Sequence, residues 1–71
     1  MTDDTLRAQL ADLLGVAPAE LDDQDNLLDH GLDSIRIMSL VETWRAEGAD
    51  VSFVELAEDP TLSHWRKLLD R

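Results

Sequence analysis

Residues His30-Gly31-Leu32-Asp33-Ser34 bring an imidazole, a carboxylate and a nucleophilic hydroxyl together in one short stretch of chain. The set invites comparison with a hydrolase, Ser34 being the nucleophile, His30 the base and Asp33 its orienting acid. That chemistry requires nucleophile and base at hydrogen-bond distance, with the third group fixing the base. Consecutive residues at a turn rarely reach that geometry, and nothing in the sequence indicates an oxyanion hole or a pocket. Catalysis by Ser34 is therefore the weaker reading, and hydrolysis of an activated ester that stops in Ser34→Ala is the observation that would revive it.

The acids just upstream invite a second comparison, with calcium sites. An EF-hand loop needs oxygen ligands at alternate positions, a Gly sixth and a Glu twelfth. Asp23 and Asp25 begin well, but the fifth and sixth positions are Leu27 and Leu28. The pattern fails, leaving a solvated acidic loop and no metal site.

Helices must hold these residues, since period-2 alternation is absent and apolar positions recur at helical spacing. Leu6, Leu10, Leu13 and Leu14 stripe a first helix, with Thr2, Asp3 and Asp4 as its cap and first-turn acids and Gly15 as its stop. A long polar connection from Val16 to Asp33 follows; loops of that length are usually functional or locally ordered. Leu21, Leu27 and Leu28 are expected to pin it to the core. A second helix runs from about Asp33, a good N-cap, to Glu47, with Gly48 just beyond its last turn. Ser52-Phe53-Val54-Glu55 fits a capping box opening a short third helix. Thr61 caps a fourth, striped by Leu62, Trp65, Leu68 and Leu69 and ending in Arg66, Lys67 and Arg71, which suit the helix dipole.

The second helix carries more apolar surface than one core face needs. At about 100° per residue, Ile37, Leu40, Val41 and Trp44 share one inward arc. Ile35 and Met38 fall outside it, on the flank with Ser34, Glu42 and Arg45. Two large apolar side chains beside a serine at a helix start suggest a contact surface, and a flexible Met suits a site that accommodates several partners. Phe53 is a further candidate for it. The alternative is that the first loop or the third helix covers these residues, in which case mutating them lowers stability and leaves partner affinity unchanged.

The segment Asp25-Asn-Leu-Leu-Asp29-His30-Gly31-Leu32-Asp33-Ser34-Ile35-Arg36 resembles the attachment site of the acyl, peptidyl and aryl carrier family, whose signature is an acid and a leucine, a Gly, then Asp-Ser and an aliphatic residue. The form Gly31-Leu32-Asp33-Ser34-Ile35-Arg36 is most similar to the aryl carrier proteins of siderophore assembly lines. The later segments Val51-Ser-Phe53-Val54-Glu55-Leu56-Ala57, Pro60-Thr61-Leu62 and Trp65-Arg66-Lys67-Leu68-Leu69 look like the same group, so the resemblance spans nearly the whole chain. It implies an all-α fold, a small four-helix bundle of the acyl-carrier-protein type with a long first loop and a short third helix. It also implies a 4'-phosphopantetheine arm, drawn from coenzyme A and joined covalently to Ser34, with Gly31, Leu32 and Asp33 around it. Ile35, Arg36, Met38, Phe53 and Ala57 are the implied partner contacts. The implied partners are a phosphopantetheinyl transferase, an adenylating enzyme that loads an aryl acid as a thioester, and a condensation domain of nonribosomal peptide synthesis. The carrier itself then supplies no catalytic group. Elementary physics agrees: a helix N-terminus, with free N–H groups and a positive dipole end, favours a phosphate, and Gly31 lets the backbone turn sharply before it. For Arg36 the alternative to a partner contact is a solvated or locally paired side chain.

Length and charge narrow the remaining classes. Seventy-one residues suffice for one domain over positions 1–71, with a core too small to enclose a substrate pocket of its own. The 44% hydrophobic share is that of a folded protein. Sixteen acids against six basic residues give a net charge of −10, which repels nucleic acid and favours partners with basic docking patches. The lack of cysteine is compatible with a reducing cytoplasm, no stretch is long enough to span a membrane, and a monomer is expected. The start at Met1 favours a free-standing protein over a domain cut from a larger synthase, although an excised domain can begin the same way. A peptidyl or fatty-acyl cargo is the alternative within the carrier reading. From another class, a small acidic adaptor that binds a protein partner and never carries an acyl group has the same charge and the same apolar flank; intact mass after incubation with a transferase and coenzyme A separates the two.

Overall fold

A computed structural model describes residues 2–70 of the chain. Four helices, α1 (Asp3–Leu14), α2 (Ser34–Ala46), α3 (Phe53–Glu58) and α4 (Leu62–Leu69), account for its regular structure, and no strand occurs among the described residues. The all-α fold with a long first connection and a short third helix is the one the sequence implies. Local chemistry sets the four helix starts and the end of α1. Thr2, Asp33, Ser52 and Thr61 cap the four N-termini, each side chain accepting a backbone N–H three residues on. Ser52 and Glu55 complete a reciprocal capping box. Gly15 ends α1 in the left-handed region at φ 72°, where its N–H reaches back to the last turn. Arg71, expected at the basic end of α4, lies outside the described residues.

The core is built from Leu6, Leu10 and Ala11 of α1, Ile37, Leu40 and Trp44 of α2, Leu56 of α3, and Leu62 and Trp65 of α4, with Leu21, Leu27, Leu32 and Val51 from the connections. Trp44 and Trp65 meet edge to face, ring centroids 5.9 Å apart at 78°. Both indole N–H groups are satisfied, Trp44 by Gln9 Oε1 at 3.2 Å and Trp65 by the Leu56 carbonyl at 2.9 Å. Val41, Leu13, Leu14, Leu68 and Leu69 pack against this core from its partly buried margin.

The first connection is ordered rather than slack. It contains two single-turn 3₁₀ helices, Pro18–Glu20 and Leu27–His30. Its backbone is fastened to the distant α4 region, Leu27 N–H donating to the Pro60 carbonyl at 2.8 Å and Ser63 N–H to the Asp23 carbonyl at 3.1 Å. Arg7 of α1 donates to the Leu21 carbonyl and pairs with Asp23, while Arg66 of α4 reaches Asp3 at 3.2 Å. These ties hold the connection against α1 and α4, so the entry to α2 is fixed from both sides. Leu21 and Leu27 are pinned as expected, but Leu28 is not: it is 48% exposed. Neighbours in one tight turn cannot both face inward, and Leu27 takes the core position.

Candidate functional site

The site forms where the second 3₁₀ turn hands over to α2. Asn26 caps that turn by accepting Leu28 N–H, and Gly31 ends it at φ 99°. A Cβ at Gly31 would meet nothing within 4 Å, so the dihedral alone, not crowding, demands glycine there. Leu32 N–H then returns to the Leu27 carbonyl at 3.2 Å. This bond turns the Leu32 side chain inward, leaving it 4% exposed. Leu32, expected among the cofactor contacts, is a core residue that anchors the turn from beneath.

Asp33 follows as the N-cap of α2. Its Oδ1 accepts the Arg36 N–H at 2.9 Å and its carbonyl accepts the Ile37 N–H at 3.0 Å. Ser34 is the first helical residue, exposed, and its hydroxyl makes no hydrogen bond to any described residue. The amides of Ser34 and Ile35 likewise lack partners among the described residues, as the opening of a helix leaves them. An anion attached at Ser34 meets free donors and the positive end of the helix dipole.

His30 does not turn toward Ser34. Its Nε2 lies 3.1 Å from Asp25 Oδ2, and hydrogen bonding to His30 holds the Asp25 carboxyl below its ordinary range, helped by the Asp22 backbone N–H. With His30 engaged by Asp25 and Asp33 engaged by the Arg36 amide, the three residues do not assemble into a nucleophile–base–acid relay. Among the described residues no group of three or more His, Cys, Asp or Glu side chains has metal-binding geometry.

The flank of α2 is bare. Ile35 is 76% exposed and Met38 55%, so neither the first connection nor α3 covers them. Phe53, opening α3, is 36% exposed, and Ala57 is half-buried. Besides Leu28, sequence reasoning missed a second exposed apolar residue: Val54, 68% exposed. The signal was present, because Val54 lies two positions before buried Leu56 and therefore about 200° round the helix from it. Arg36 is locally paired, its Nη1 donating to the Gly31 carbonyl at 2.9 Å.

Residues 4–69 match the phosphopantetheine attachment site family. The chain belongs to that family. Its attached group is 4'-phosphopantetheine, and the exposed serine, the free amides and the open approach over Gly31 fit the phosphate end of such an arm. Among known proteins, this carrier domain is 59% identical over 68 residues to an isochorismatase of Bacillus subtilis (strain 168), covering 96% of the chain and 22% of the relative. It is 51% identical over 69 residues to the acyl carrier protein ScoB of Streptomyces coeruleorubidus, covering 97% of the chain and 81% of the relative. It is 46% identical over 65 residues to the phenyloxazoline synthase MbtB of Mycobacterium sp. (strain MCS), covering 92% of the chain and 6% of the relative. The carrier thus spans about four fifths of one small relative and a minor part of two larger ones. No helix among the described residues is long and apolar enough to cross a membrane.

Proposed function

We propose that this domain is an aryl carrier of a siderophore-like nonribosomal peptide pathway, bearing its arm on Ser34. The observation that carries the assignment of Ser34 is its exposed, unbonded hydroxyl at the first position of α2. A transferase brings coenzyme A to this point. Ser34 Oγ attacks the phosphorus that bears the pantetheine, the bond to adenosine 3',5'-bisphosphate breaks, and the hydroxyl proton passes to the transferase. The thiol at the far end of the arm takes an acyl group as a thioester. The chain's own part is to hold Ser34 proud of the bundle and to present a surface; the partners do the chemistry.

Two observations support an aryl cargo carried outside the bundle. Trp44 and Trp65, both fully buried, fill the space that a sequestered fatty chain would need. The cleft of about 390 Å³ lined by Thr5, Trp44, Glu47, Gly48, Ala49 and Leu69 is open and lies around the C-terminal end of α2, about 20 Å along the helix from Ser34. A relative named as a phenyloxazoline synthase and another named as an isochorismatase support the same reading. The relative named as an acyl carrier protein favours a second one, a carrier for another acyl or peptidyl cargo. The absence of cysteine suits work in a reducing cytoplasm, where we place the domain.

Intact mass after incubation with a broad-specificity transferase and coenzyme A tests the carrier step, and aryl, aliphatic and amino acids offered with their adenylating enzymes test the cargo. One phosphopantetheinyl group followed by one aryl group is the expected result. Loading of aliphatic or amino acids alone would refute the aryl assignment, and no gain at the first step would make the chain an acidic adaptor.

Ile35, Met38, Phe53 and Val54, with Ala57 at the margin, form the proposed docking surface for the adenylating enzyme and the condensation domain. Burying an aliphatic side chain of this size is worth about 1.5–3 kcal/mol, and a charge in its place must also be desolvated. Met38→Glu is therefore expected to slow partner turnover by about 10- to 100-fold, with Tm within a few degrees of wild type. A large fall in Tm with unchanged turnover would return Met38 to the core.

A further inference from the structure

Arg36 occupies an unusual electrostatic position. Its guanidinium is tied to the Gly31 carbonyl, three residues before the helix begins, so the side chain folds back past the N-terminus of α2 rather than along its flank. A cation there sits at the unfavourable end of the helix dipole. No acid compensates it: Arg36 has no ion pair among the described residues, although Asp25, Asp29 and Asp33 all stand nearby in the chain. Asp33 Oδ1 accepts the Arg36 backbone amide, and Asp25 Oδ2 lies against His30 Nε2. Arg7 pairs with Asp3 and Asp23 and Arg66 with Asp3, whereas Arg45, like Arg36, bonds a backbone carbonyl, that of Val51, but at the C-terminal end of α2, where the helix dipole favours a cation. A guanidinium bonded to the Gly31 carbonyl, two unpartnered amides and a positive helix end thus belong to the same turn-to-helix junction as the Ser34 hydroxyl.

We infer that Arg36 is a positioning residue for the arm, its guanidinium engaging the phosphodiester formed on Ser34 and fixing the direction in which the arm leaves the bundle. The inference rests on the assignment of Ser34 above. An arginine fork presents several donors in one plane and matches phosphate oxygens. One of those donors holds the Gly31 carbonyl, which preorganises the fork before the phosphate arrives. The arrangement is mildly unfavourable without the phosphate and becomes favourable with it, so attachment of the arm should tighten the junction between the second 3₁₀ turn and α2.

The test compares apo and phosphopantetheinylated forms of the full chain, wild type against Arg36→Gln and Arg36→Lys. Mass first establishes that each variant carries the arm; if wild type never gains it, the assignment of Ser34 fails and this inference falls with it. With the arm on, wild type is expected to gain about 2–5 °C in Tm, and R36Q less than half of that. R36K keeps part of the gain, because the charge remains and the fork is lost. The Arg36 Nε–Hε resonance and the phosphodiester ³¹P resonance report the contact directly: the first should move on modification of wild type, and the second should differ between modified wild type and modified R36Q. Equal Tm gains with both resonances unmoved would overturn the inference while leaving Ser34 as the attachment point. Slower modification of R36Q as the sole effect would also overturn it, making Arg36 a contact for the transferase instead.

Discussion

Ser34→Ala is expected to abolish the phosphopantetheinyl mass gain completely while leaving the fold intact. Both halves follow from the same geometry. The Ser34 hydroxyl is exposed and bonded to no described residue, so removing it leaves no buried partner unsatisfied. Surface substitutions of that kind stay within about 0.5 kcal/mol, and the thermal melt of Ser34→Ala should overlie that of wild type. The other serines do not offer an equivalent hydroxyl. Ser39 lies inside α2, where backbone amides are consumed by the helical ladder and no free donors await a phosphate. Ser52 is occupied by its capping box, accepting the Glu55 N–H at 3.2 Å and donating to the Glu55 carboxylate at 3.3 Å. Ser63 is half-buried in the first turn of α4, its amide held by the Asp23 carbonyl. Intact mass with peptide mapping decides the matter: a gain that persists in Ser34→Ala and maps to another hydroxyl would refute the assignment.

The parts of this fold that were legible in the sequence are those governed by contacts three or four residues apart. Asp33, Ser52 and Thr61 cap the helices they were expected to cap, and Gly15 stops α1, because each role depends on one residue and its immediate successors. The inward arc of α2 was equally plain, since helical spacing separates Ile37, Leu40 and Trp44 from Ile35 and Met38. The first connection was harder. That it is ordered could be suspected from its leucines, but its fastening to Pro60 and Ser63, some 33 to 40 positions away in sequence, leaves no local trace. Leu28 and Leu32 show the cost: both are leucines in one turn region, and only the backbone path sends Leu32 inward and Leu28 outward. At the site, Ser34 and Asp33 could be named from the motif, whereas the fold-back of Arg36 onto Gly31 depends on where the turn carries that carbonyl.

Trp65→Ala is expected to leave the chain largely unfolded at 25 °C. Truncating a buried Trp costs about 3–5 kcal/mol through lost burial and the cavity left behind, while a domain of this size has only about 3–5 kcal/mol to lose. Three features meet in this one side chain of α4: the edge-to-face packing on Trp44 of α2, the indole bond to the Leu56 carbonyl of α3, and full burial. The second matters beyond its own strength. At six residues α3 is far too short to persist alone, so it depends on tertiary contacts such as the bond from Trp65. Trp65→Phe separates the contributions, keeping an aromatic ring in the core but leaving the Leu56 carbonyl without its donor, at an expected cost of about 1–3 kcal/mol. Urea titration followed by circular dichroism should therefore rank the proteins wild type, Trp65→Phe, Trp65→Ala, with the last lacking a folded baseline. A cooperative transition for Trp65→Ala close to that of wild type would mean that the indole pair is not what closes this core. Because Ser34 is presented only while the connection and α2 are held in register, loss of the phosphopantetheinyl gain should track the unfolded fraction across the series.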